Sequence, residues 1–217
     1  MLDSNWDLIN GDAAHEIEVL NYANQVNVIA AMLRLVIHKD GVGPDGCPNA
    51  LNANALRELH RTGTLFLLEK PGFYRETEVV VYWNGQVSHT PPPAVDVPLL
   101  MEAFDLDIAA RWGASSPVQT AAYTLWRLNW IHPFKNGNGR TARAFAYACL
   151  SMKYGFELPG APTVIDMIMA NRDEYTKALQ HADETLHSTG TPDLALMEAF
   201  IERLLVTQLA SLGAANS

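Results

Sequence analysis

The stretch HPFKNGNGR, residues 132–140, combines residue types that suit chemistry on a phosphate. Gly137 and Gly139 let the backbone approach an anion without interference from a Cβ atom. Arg140 and Arg143 stand three residues apart at the start of an expected helix, so both guanidinium groups project from one face of its first turn. A helix start adds unpaired backbone N–H groups and a partial positive charge. The pattern predicts a turn that binds a polyphosphate.

His132 immediately precedes this turn, at the end of the helix predicted before it. An unperturbed imidazole has a pKa of about 6.5, which suits a general base that removes a proton from an incoming nucleophile. A Walker A loop is excluded because no Gly-Lys-Ser/Thr is present, and a dinucleotide fingerprint because no strand precedes the glycines. Phe134 is expected to point into the core and fix the loop. The residues alone therefore predict a histidine base beside a phosphate-binding turn.

Composition and charge exclude several classes of protein. The chain has 15 Lys and Arg against 24 Asp and Glu, and a formal net charge of −9 argues against nucleic acid or an anionic membrane as a main partner. Its 217 residues suffice for one domain with a core. The first residues are polar and acidic, no apolar run reaches the roughly 20 residues of a membrane span, and two cysteines form no metal motif. We expect a cytoplasmic protein, and export as an effector without a cleavable signal is also compatible.

The hydrophobic pattern is mostly helical. The first helix is expected to turn Ile17, Leu20, Ala23, Val26, Ala30 and Leu33 inward. A loop rich in Gly, Pro, Asp and Asn follows at about 38–49. Asn52 is an expected N-cap, and Ser115-Ser116-Pro117 supplies an N-cap and an N1 proline. Helices are predicted at about 13–37, 52–68, 96–112, 117–131, 140–154, 163–170, 172–187 and 192–211.

One segment, TEVVVYWNGQVSH, is β-branched and aromatic, with Asn84-Gly85 between its halves. Asn-Gly in that setting is a strong signal for a hairpin, because both turn residues take positive φ. The following TPPP ends any strand. An isolated hairpin is only marginally stable, so this one is expected to lie against the helices as a flap at about 78–90.

The stretch HPFKNGNGRTAR resembles the signature of the Fic (filamentation induced by cAMP) family, His-x-Phe-x-Asp/Glu-Gly-Asn-Gly-Arg-x-x-Arg, and differs from it at one position. The segments VLNYANQV, RELHRT, PGFYR, the hairpin with HTPPP, and VIDMIMANRDEYTKALQHAD are similar to family segments in the same order. The resemblance covers roughly residues 17–205, and we expect residues 1–217 to form a single domain. It implies an all-α helical bundle with a β-hairpin flap over the active site.

The resemblance implies a protein adenylyltransferase, which moves AMP from ATP to a Ser, Thr or Tyr hydroxyl of a target protein and releases pyrophosphate. By position, His132 would deprotonate that hydroxyl. Asn138 and the backbone of Gly137 and Gly139 would hold the α-phosphate region, and Arg140 and Arg143 the β- and γ-phosphates. Lys135 has no assigned family role and is expected to be exposed, where it can help neutralise phosphate beside the uncharged Asn136. The flap would align the target by strand addition through Val80, Val81, Tyr82 and His89.

Position 136 is the one departure, because the family has Asp or Glu there to bind Mg²⁺ and this chain has Asn136. An amide carbonyl can coordinate a hard cation, but losing a negative charge weakens the site. Three interpretations stay open. A transferase that is slower or uses its metal differently is favoured over a nucleotide-binding regulatory protein with little catalysis. Transfer of a different phosphate-linked group is the third.

The sequence also bears on regulation. Many Fic proteins carry an inhibitory [ST]-x-x-x-E-[GN] helix, whose Glu pairs with the second arginine of the motif. No Glu in this chain is followed by Gly or Asn, so inhibition of that form is not predicted. A separate antitoxin-like protein that supplies the Glu in trans is our hypothesis.

Three further features are expected to be structural. Arg75, in PGFYR, is predicted to anchor the flap. Tyr123, Trp126 and Trp130 stand at helical spacing and are predicted to lie in the core. For Tyr175, packing is at least as well supported as a contact with adenine. The histidines show no zinc spacing such as HExxH.

Overall fold

The computed structural model describes residues 6–37, 46–48 and 51–214. The predicted loop at 38–49 falls mostly outside these residues. In chain order the elements are α1 (Asp12–Ile37), α2 (Ala53–Gly63), β1 (Val81–Trp83), β2 (Gln86–His89), a 3₁₀ turn (Ala94–Asp96), α3 (Val97–Ala114), α4 (Pro117–Ile131), α5 (Asn138–Tyr154), α6 (Val164–Ala170), α7 (Arg172–Thr189) and α8 (Ala195–Ala214). The prediction of an all-α fold with one β-hairpin is confirmed.

Local capping sets several helix bounds where the sequence predicts them. The side chain of Asn52 accepts hydrogen bonds from the backbone N–H groups at the start of α2. Ser116 and Gln119 form a reciprocal capping box at the start of α4, with Pro117 at its first position. Gly155 ends α5 in the left-handed conformation.

The predicted extension of α2 to residue 68 is wrong, because the helix ends at Gly63. Thr64 Oγ1 donates to the carbonyl of His60, 2.7 Å away, and the backbone N–H groups of residues 67 and 68 turn back to the Thr64 carbonyl. Phe66 then takes a positive φ of 63°, which no helix accommodates. Leu67 still points inward as predicted, because this turn carries it into a small cluster with Trp6 and Ala14.

Helices α4 and α5 pack against each other along their length and form the centre of the core. Phe134 and Phe145 are fully buried there, together with Leu125 and Leu128. Tyr123 and Trp126 are buried and Trp130 is partly buried in the same cluster, so their predicted core role is confirmed. In the described part of the chain, none of the helices combines the length and apolar character that a membrane span requires.

The predicted inward face of α1 is wrong for Leu20 and Val26, whereas Leu33 is buried as predicted. Leu20 is 65% exposed and Val26 40% exposed, whereas the polar residues Glu18, Asn21 and Gln25 are buried. Ile29 and Leu33 are buried on the same inward face, toward the C-terminal end of the helix. The N-terminal half of α1 is thus rotated away from the face that hydrophobicity alone indicates.

Hydrogen bonds to main-chain carbonyls explain this rotation. Asn21 Nδ2 donates to the carbonyl of Leu65, 2.9 Å away, and Gln25 Nε2 to the carbonyl of Leu59, 2.7 Å away. The Leu65 carbonyl lies in the turn after α2, outside any helix, and an unpaired buried carbonyl costs free energy. Two amide side chains on one face of α1 therefore decide how it packs.

The hairpin pairs β1 with β2 as an antiparallel sheet of two strands. Its turn has φ of 50° at Asn84 and 78° at Gly85, as the Asn-Gly signal predicts. Near the turn, the Trp83 ring lies 4.1 Å from the guanidinium carbon of Arg172, the first residue of α7. The hairpin is therefore held against the helical body close to its tip.

Candidate active site

His132 ends α4 in a left-handed conformation, with φ of 51° and ψ of 59°. Its Nδ1 lies 3.3 Å from the carbonyl oxygen of Asn129. A carbonyl can only accept, so Nδ1 carries the proton and Nε2 presents the lone pair. The geometry thus assigns Nε2 as the atom that can take a proton.

The surroundings of His132 keep the ring neutral. Burial lowers the pKa of His132 to about 4, against the opposing effect of the bond to Asn129, and the charges of His89 and Arg75 lower it further. At neutral pH the side chain is therefore a neutral imidazole, protonated at Nδ1 alone. That is the form a general base needs before it receives a proton.

Arg75 connects this histidine to the flap. Its buried guanidinium donates to the carbonyls of His132 at 2.8 Å, Thr77 at 3.2 Å and Pro92 at 2.5 Å. Its backbone N–H donates to the carbonyl of Pro133. One side chain thus joins the loop after α4 to both ends of the hairpin segment, as expected of an anchor.

The turn between α4 and α5 is closed by Asn138. Its Oδ1 accepts from the backbone N–H of Phe134 at 2.8 Å, and its Nδ2 donates to the carbonyl of the same residue at 2.7 Å. The Phe134 ring is buried, as expected. Both polar atoms of the Asn138 side chain serve the loop in this structure, so the predicted contact with phosphate would rest on backbone N–H groups.

Gly137 and Gly139 are each required by the structure, for different reasons. Gly137 has a φ of 75°, and a Cβ added there would lie 2.7 Å from Thr64 Cγ2. A Cβ on Gly139 would lie 3.2 Å from Nη1 of Arg143. The first glycine permits the backbone turn, and the second leaves room for a guanidinium group.

Arg140 lies at the junction of α1, α2 and α5. Its Nη1 donates to the carbonyl of Gly63 at 3.0 Å, and its Nη2 lies 3.2 Å from a carboxylate oxygen of Glu18. The Trp6 indole N–H donates to the same carboxylate at 2.8 Å. An acid therefore already neutralises the first arginine of the motif.

Glu18 does not match the [ST]-x-x-x-E-[GN] pattern of an inhibitory acid, because Ala14 stands four positions before it and Val19 follows it. The readable signal is instead the spacing of Glu18, Asn21 and Gln25, which places three polar side chains on one face of α1. Hydrophobicity points to the opposite face, so only packing reveals that these side chains turn inward.

The arginines of the motif share a cavity of about 350 Å³ between α1, α5 and α6. Glu18, Arg140 and Arg143 line it, and the remaining wall is largely apolar, with Val26 and Met169 among its members. The tertiary structure thus brings both arginines and two carboxylates, those of Glu18 and Asp166, to a single space.

Asn136 does not form a site that fits a resident Mg²⁺. Its Oδ1 accepts from the backbone N–H of Gly137 at 2.7 Å, so the neutral amide oxygen is directed at the protein itself. Among the described residues, no group of three or more His, Cys, Asp or Glu side chains is placed to hold a metal ion. Hard divalent cations prefer anionic oxygen ligands.

Lys135 and Tyr175 each contact other parts of the protein in this structure. Lys135 Nζ lies 2.5 Å from a carboxylate oxygen of Asp7, in an ion pair on the surface. Tyr175 is buried, accepts a hydrogen bond from Asn129 Nδ2 at 2.9 Å, and stacks on Phe200. The tyrosine has a packing role here, and the contact of Lys135 with phosphate stays a prediction.

The flap offers an exposed surface on one side and an anchor on the other. Val80 and Tyr82 are exposed, and Val81 is partly buried. His89 turns inward, with Nε2 2.9 Å from the carbonyl of Trp130 and Nδ1 3.3 Å from a carboxylate oxygen of Asp183. Burial lowers the pKa of His89, but these two acceptors outweigh burial and raise it overall.

Comparison with known proteins agrees with this architecture. The sequence profile of the Fic/DOC family matches residues 50–150. The chain is 33% identical over 157 residues to a protein adenylyltransferase Fic of Nematostella vectensis, covering 71% of this chain and 33% of that protein. It is 34% identical over 117 residues to a Fido domain-containing protein of Dictyostelium discoideum, covering 54% of this chain and 75% of that protein.

The fold is also found among solved structures. A Fic domain-containing signaling protein of Bacteroides thetaiotaomicron superposes with a TM-score of 0.63 at 21% identity, covering 87% of this chain and 69% of that one. The chain spans about a third of the length of the curated adenylyltransferase above. The sequence match, the motif geometry and the hairpin over a helical bundle agree, and the chain belongs to the Fic/DOC family.

Proposed function

We propose that this chain is a protein adenylyltransferase that transfers AMP from ATP to a hydroxyl group of a target protein. The observation that carries the proposal is a neutral His132 whose Nε2 lone pair is available. His132 lies at the start of the turn that leads into α5, and Arg140 and Arg143 of α5 line one cavity. Relatives named protein adenylyltransferase Fic support the same reaction class.

The proposed step transfers one proton and one nucleotidyl group. Nε2 of His132 takes the proton of the target hydroxyl while its oxygen bonds to the α-phosphorus of ATP. The bond between that phosphorus and the oxygen bridging to the β-phosphate breaks, and pyrophosphate leaves. Backbone N–H groups at the start of α5 stabilise the charge that develops on the α-phosphate, and Arg140 and Arg143 offset the charge of the leaving group.

The flap supplies the docking surface for the target in this proposal. Tyr82 is 62% exposed on a short strand of a sheet that has only two strands. An extended segment of a target can add to such an edge by main-chain hydrogen bonds. Because those bonds read the backbone, the proposal specifies a Ser, Thr or Tyr in an extended segment.

Glu18 makes the described structure a resting state in this proposal. Its carboxylate lies on Arg140, so a nucleotide must displace it before the guanidinium can bind phosphate. Control from within the chain is therefore part of the proposed function. A separate antitoxin-like protein would act in addition to Glu18.

A second candidate is a nucleotide-binding protein with weak catalysis. The observation that favours it is Asn136, whose amide oxygen binds the N–H of Gly137 in place of a metal-binding carboxylate. In this reading the turn and arginines still bind ATP, but the leaving group is poorly stabilised. Transfer of a different phosphate-linked group fits the same geometry.

Labelled ATP separates these candidates. The chain is incubated with a cell lysate and ATP labelled in the α-phosphate, and in parallel with ATP labelled in the γ-phosphate. AMP transfer predicts that the wild type adds labelled protein to the lysate background from the α-label only, and that the His132→Ala variant adds none. Labelling from the γ-label that requires the wild-type chain would indicate phosphoryl transfer and overturn the proposal.

The Asn136→Asp variant gives the second comparison. If the wild type binds ATP without transferring label and Asn136→Asp transfers it, the nucleotide-binding candidate is correct. If the wild type labels its target and Asn136→Asp increases that labelling, the chain is a transferase limited by this position. Equal labelling by both would show that the acid is not needed.

A further inference from the structure

His60, on α2, lies outside the sequence motif but contacts its main chain. The side chain is 1% exposed, and both ring nitrogens have hydrogen-bond partners. The backbone N–H of Gly72 lies 2.8 Å from Nδ1, and Nε2 lies 2.9 Å from the carbonyl oxygen of Asn136. Three separate segments of the chain therefore meet at one imidazole.

The partners determine which ring nitrogen carries the proton. The Gly72 N–H can only donate, so Nδ1 must accept and is unprotonated. The Asn136 carbonyl can only accept, so Nε2 must carry the proton and donate it. A charged imidazole would place an N–H against the Gly72 N–H, and burial together with the nearby charge of Arg140 opposes that form. His60 is thus a fixed, neutral donor.

The ring also packs against the turn that it bonds. It stacks on Phe134 with centroids 3.7 Å apart and planes 8° apart. Its Nε2 would lie 3.5 Å from a Cβ atom placed on Gly137. His60 therefore contacts residues on both sides of Asn136, and it limits both the position and the tilt of that peptide.

A trans peptide points its N–H away from its carbonyl. When His60 holds the carbonyl of Asn136, the N–H of Gly137 must face the opposite side of the turn. There that N–H is bound by an oxygen, Oδ1 of Asn136. The contact with His60 thus selects the side of the turn on which backbone N–H groups meet an oxygen ligand.

We propose that His60 is a positioning residue for the anion-binding turn, and that it acts by fixing the peptide plane between Asn136 and Gly137 through a single N–H donor. The inference rests on the proposed function for its ligand, a nucleoside triphosphate. His60 itself does not touch the nucleotide. Its effect reaches the phosphate through the orientation of the Gly137 N–H, which the nucleotide takes over from Asn136 Oδ1.

Two variants test the donor. His60→Leu puts an apolar side chain in the core and removes both the donor to Asn136 and the acceptor of the Gly72 N–H, whereas His60→Gln restores an N–H and an acceptor on a flexible side chain. Calorimetry with ATP and with inorganic tripolyphosphate measures binding without requiring transfer. We expect His60→Leu to bind both about tenfold more weakly, the effect of losing one hydrogen bond, and His60→Gln to recover part of that loss. His187→Leu, on an exposed position of α7, is the matched control and should bind like the wild type.

Circular dichroism and thermal unfolding establish that each variant is folded. A folded His60→Leu that binds ATP as tightly as the wild type would overturn the proposal. So would an equal loss in His60→Leu and His60→Gln, because the donor would then have no part in the effect.

A measurement on the wild type keeps the inference testable if the Leu variant does not fold. Nitrogen-15 NMR of the His60 ring should show an unprotonated Nδ1 and a protonated Nε2 at neutral pH, and any other tautomer would refute the assignment. In His60→Gln, the Gly137 amide should exchange with solvent faster than in the wild type. Unchanged exchange would count against positioning. These readouts do not depend on AMP transfer, so the two proposals can fail separately.

Discussion

At the scale of single residues, Gly137 shows how one backbone position limits the turn. Its φ of 75° lies in the left-handed region, and a Cβ atom would come within 2.7 Å of Thr64 Cγ2. A side chain here would both strain the backbone and push α2 away from the turn. The Asn136 carbonyl, which His60 holds, would be displaced by the same movement.

The substitution Gly137→Ala should therefore abolish ATP binding and lower stability, whereas Gly113→Ala should not. Gly113 lies in α3 with nothing within 4 Å of an added Cβ, and its φ is helical. Alanine in a helix is more stable than glycine by roughly 0.5–1 kcal/mol, so this control should unfold at the same or a higher temperature. Calorimetry and thermal unfolding check both. If Gly137→Ala bound ATP normally, the turn would not be the phosphate site.

At the scale of elements, α1 is an unusual helix because polar groups hold its N-terminal half. Glu18 lies on Arg140, and Asn21 and Gln25 bind the carbonyls of Leu65 and Leu59. Such contacts can be exchanged for contacts with a ligand more readily than a buried apolar face can. The element is suited to hold a carboxylate against an arginine and to release it.

The substitution Glu18→Gln should raise the affinity for ATP several-fold, because the neutral amide no longer competes for Arg140. The control is Glu16→Gln, two residues earlier on the exposed side of the same helix, and it should leave the affinity for ATP unchanged. Isothermal titration with ATP measures both variants. An affinity that falls in Glu18→Gln would mean that the acid supports the phosphate site and does not block it.

The flap is the second element whose position matters. Trp83 lies over Arg172 near its tip, and Arg75 and His89 hold its base. The tip contact is the weaker of these, since a cation–π pair at a partly exposed site contributes roughly 0.5–1 kcal/mol. Its loss should therefore open the tip without unfolding the domain.

The substitution Trp83→Ala should make amides of the hairpin exchange with solvent about two- to fivefold faster, as expected from that energy. Its KM for the target protein should rise while ATP affinity is retained, because the phosphate turn is untouched. Val87→Ala, on the exposed side of the partner strand, is the control. Hydrogen exchange read by mass spectrometry tests this. Unchanged exchange in Trp83→Ala would show that the tip is held by other contacts.

At the scale of the whole molecule, buried histidines link stability to pH. His60 and His132 each have a folded pKa of about 4, against 6.5 without the fold. Between those values the unfolded chain binds protons that the folded chain refuses. Protonation therefore favours unfolding as the pH falls from about 6.5 to about 4. His89 has the opposite sign: its raised pKa stabilises the fold below about 6.5, and this contribution is lost as the pH rises through its folded value.

The unfolding temperature should accordingly fall as the pH is lowered from about 6.5 to about 4. The slope should be smaller in His132→Asn, which removes one of the two neutral histidines, than in the exposed control His187→Asn. Differential scanning calorimetry across this range gives the comparison. Equal slopes in the two variants would mean that His132 is not held neutral by the fold.

Local signals were enough to predict most of the secondary structure. Ser116-Pro117 and Asn52 are caps whose effect is confined to one helix turn, and Asn84-Gly85 determines its own turn by backbone sterics. The face of α1 could not be read in this way, because the partners of its amides are carbonyls in α2 and in the turn after it, more than 30 positions away. The predicted end of α2 was wrong for the same reason, since the turn after this helix forms in contact with Trp6 and Ala14.

The sequence by itself determined the fold class, the hairpin and the order of chemical groups in 132–143, because these depend on neighbours a few positions apart. Only the tertiary structure decided that Glu18 lies on Arg140, that Asn138 closes the loop, and that His60 holds the carbonyl of Asn136. Those contacts join residues of different segments, or select one hydrogen-bond partner among several. Packing of the whole chain decides such choices.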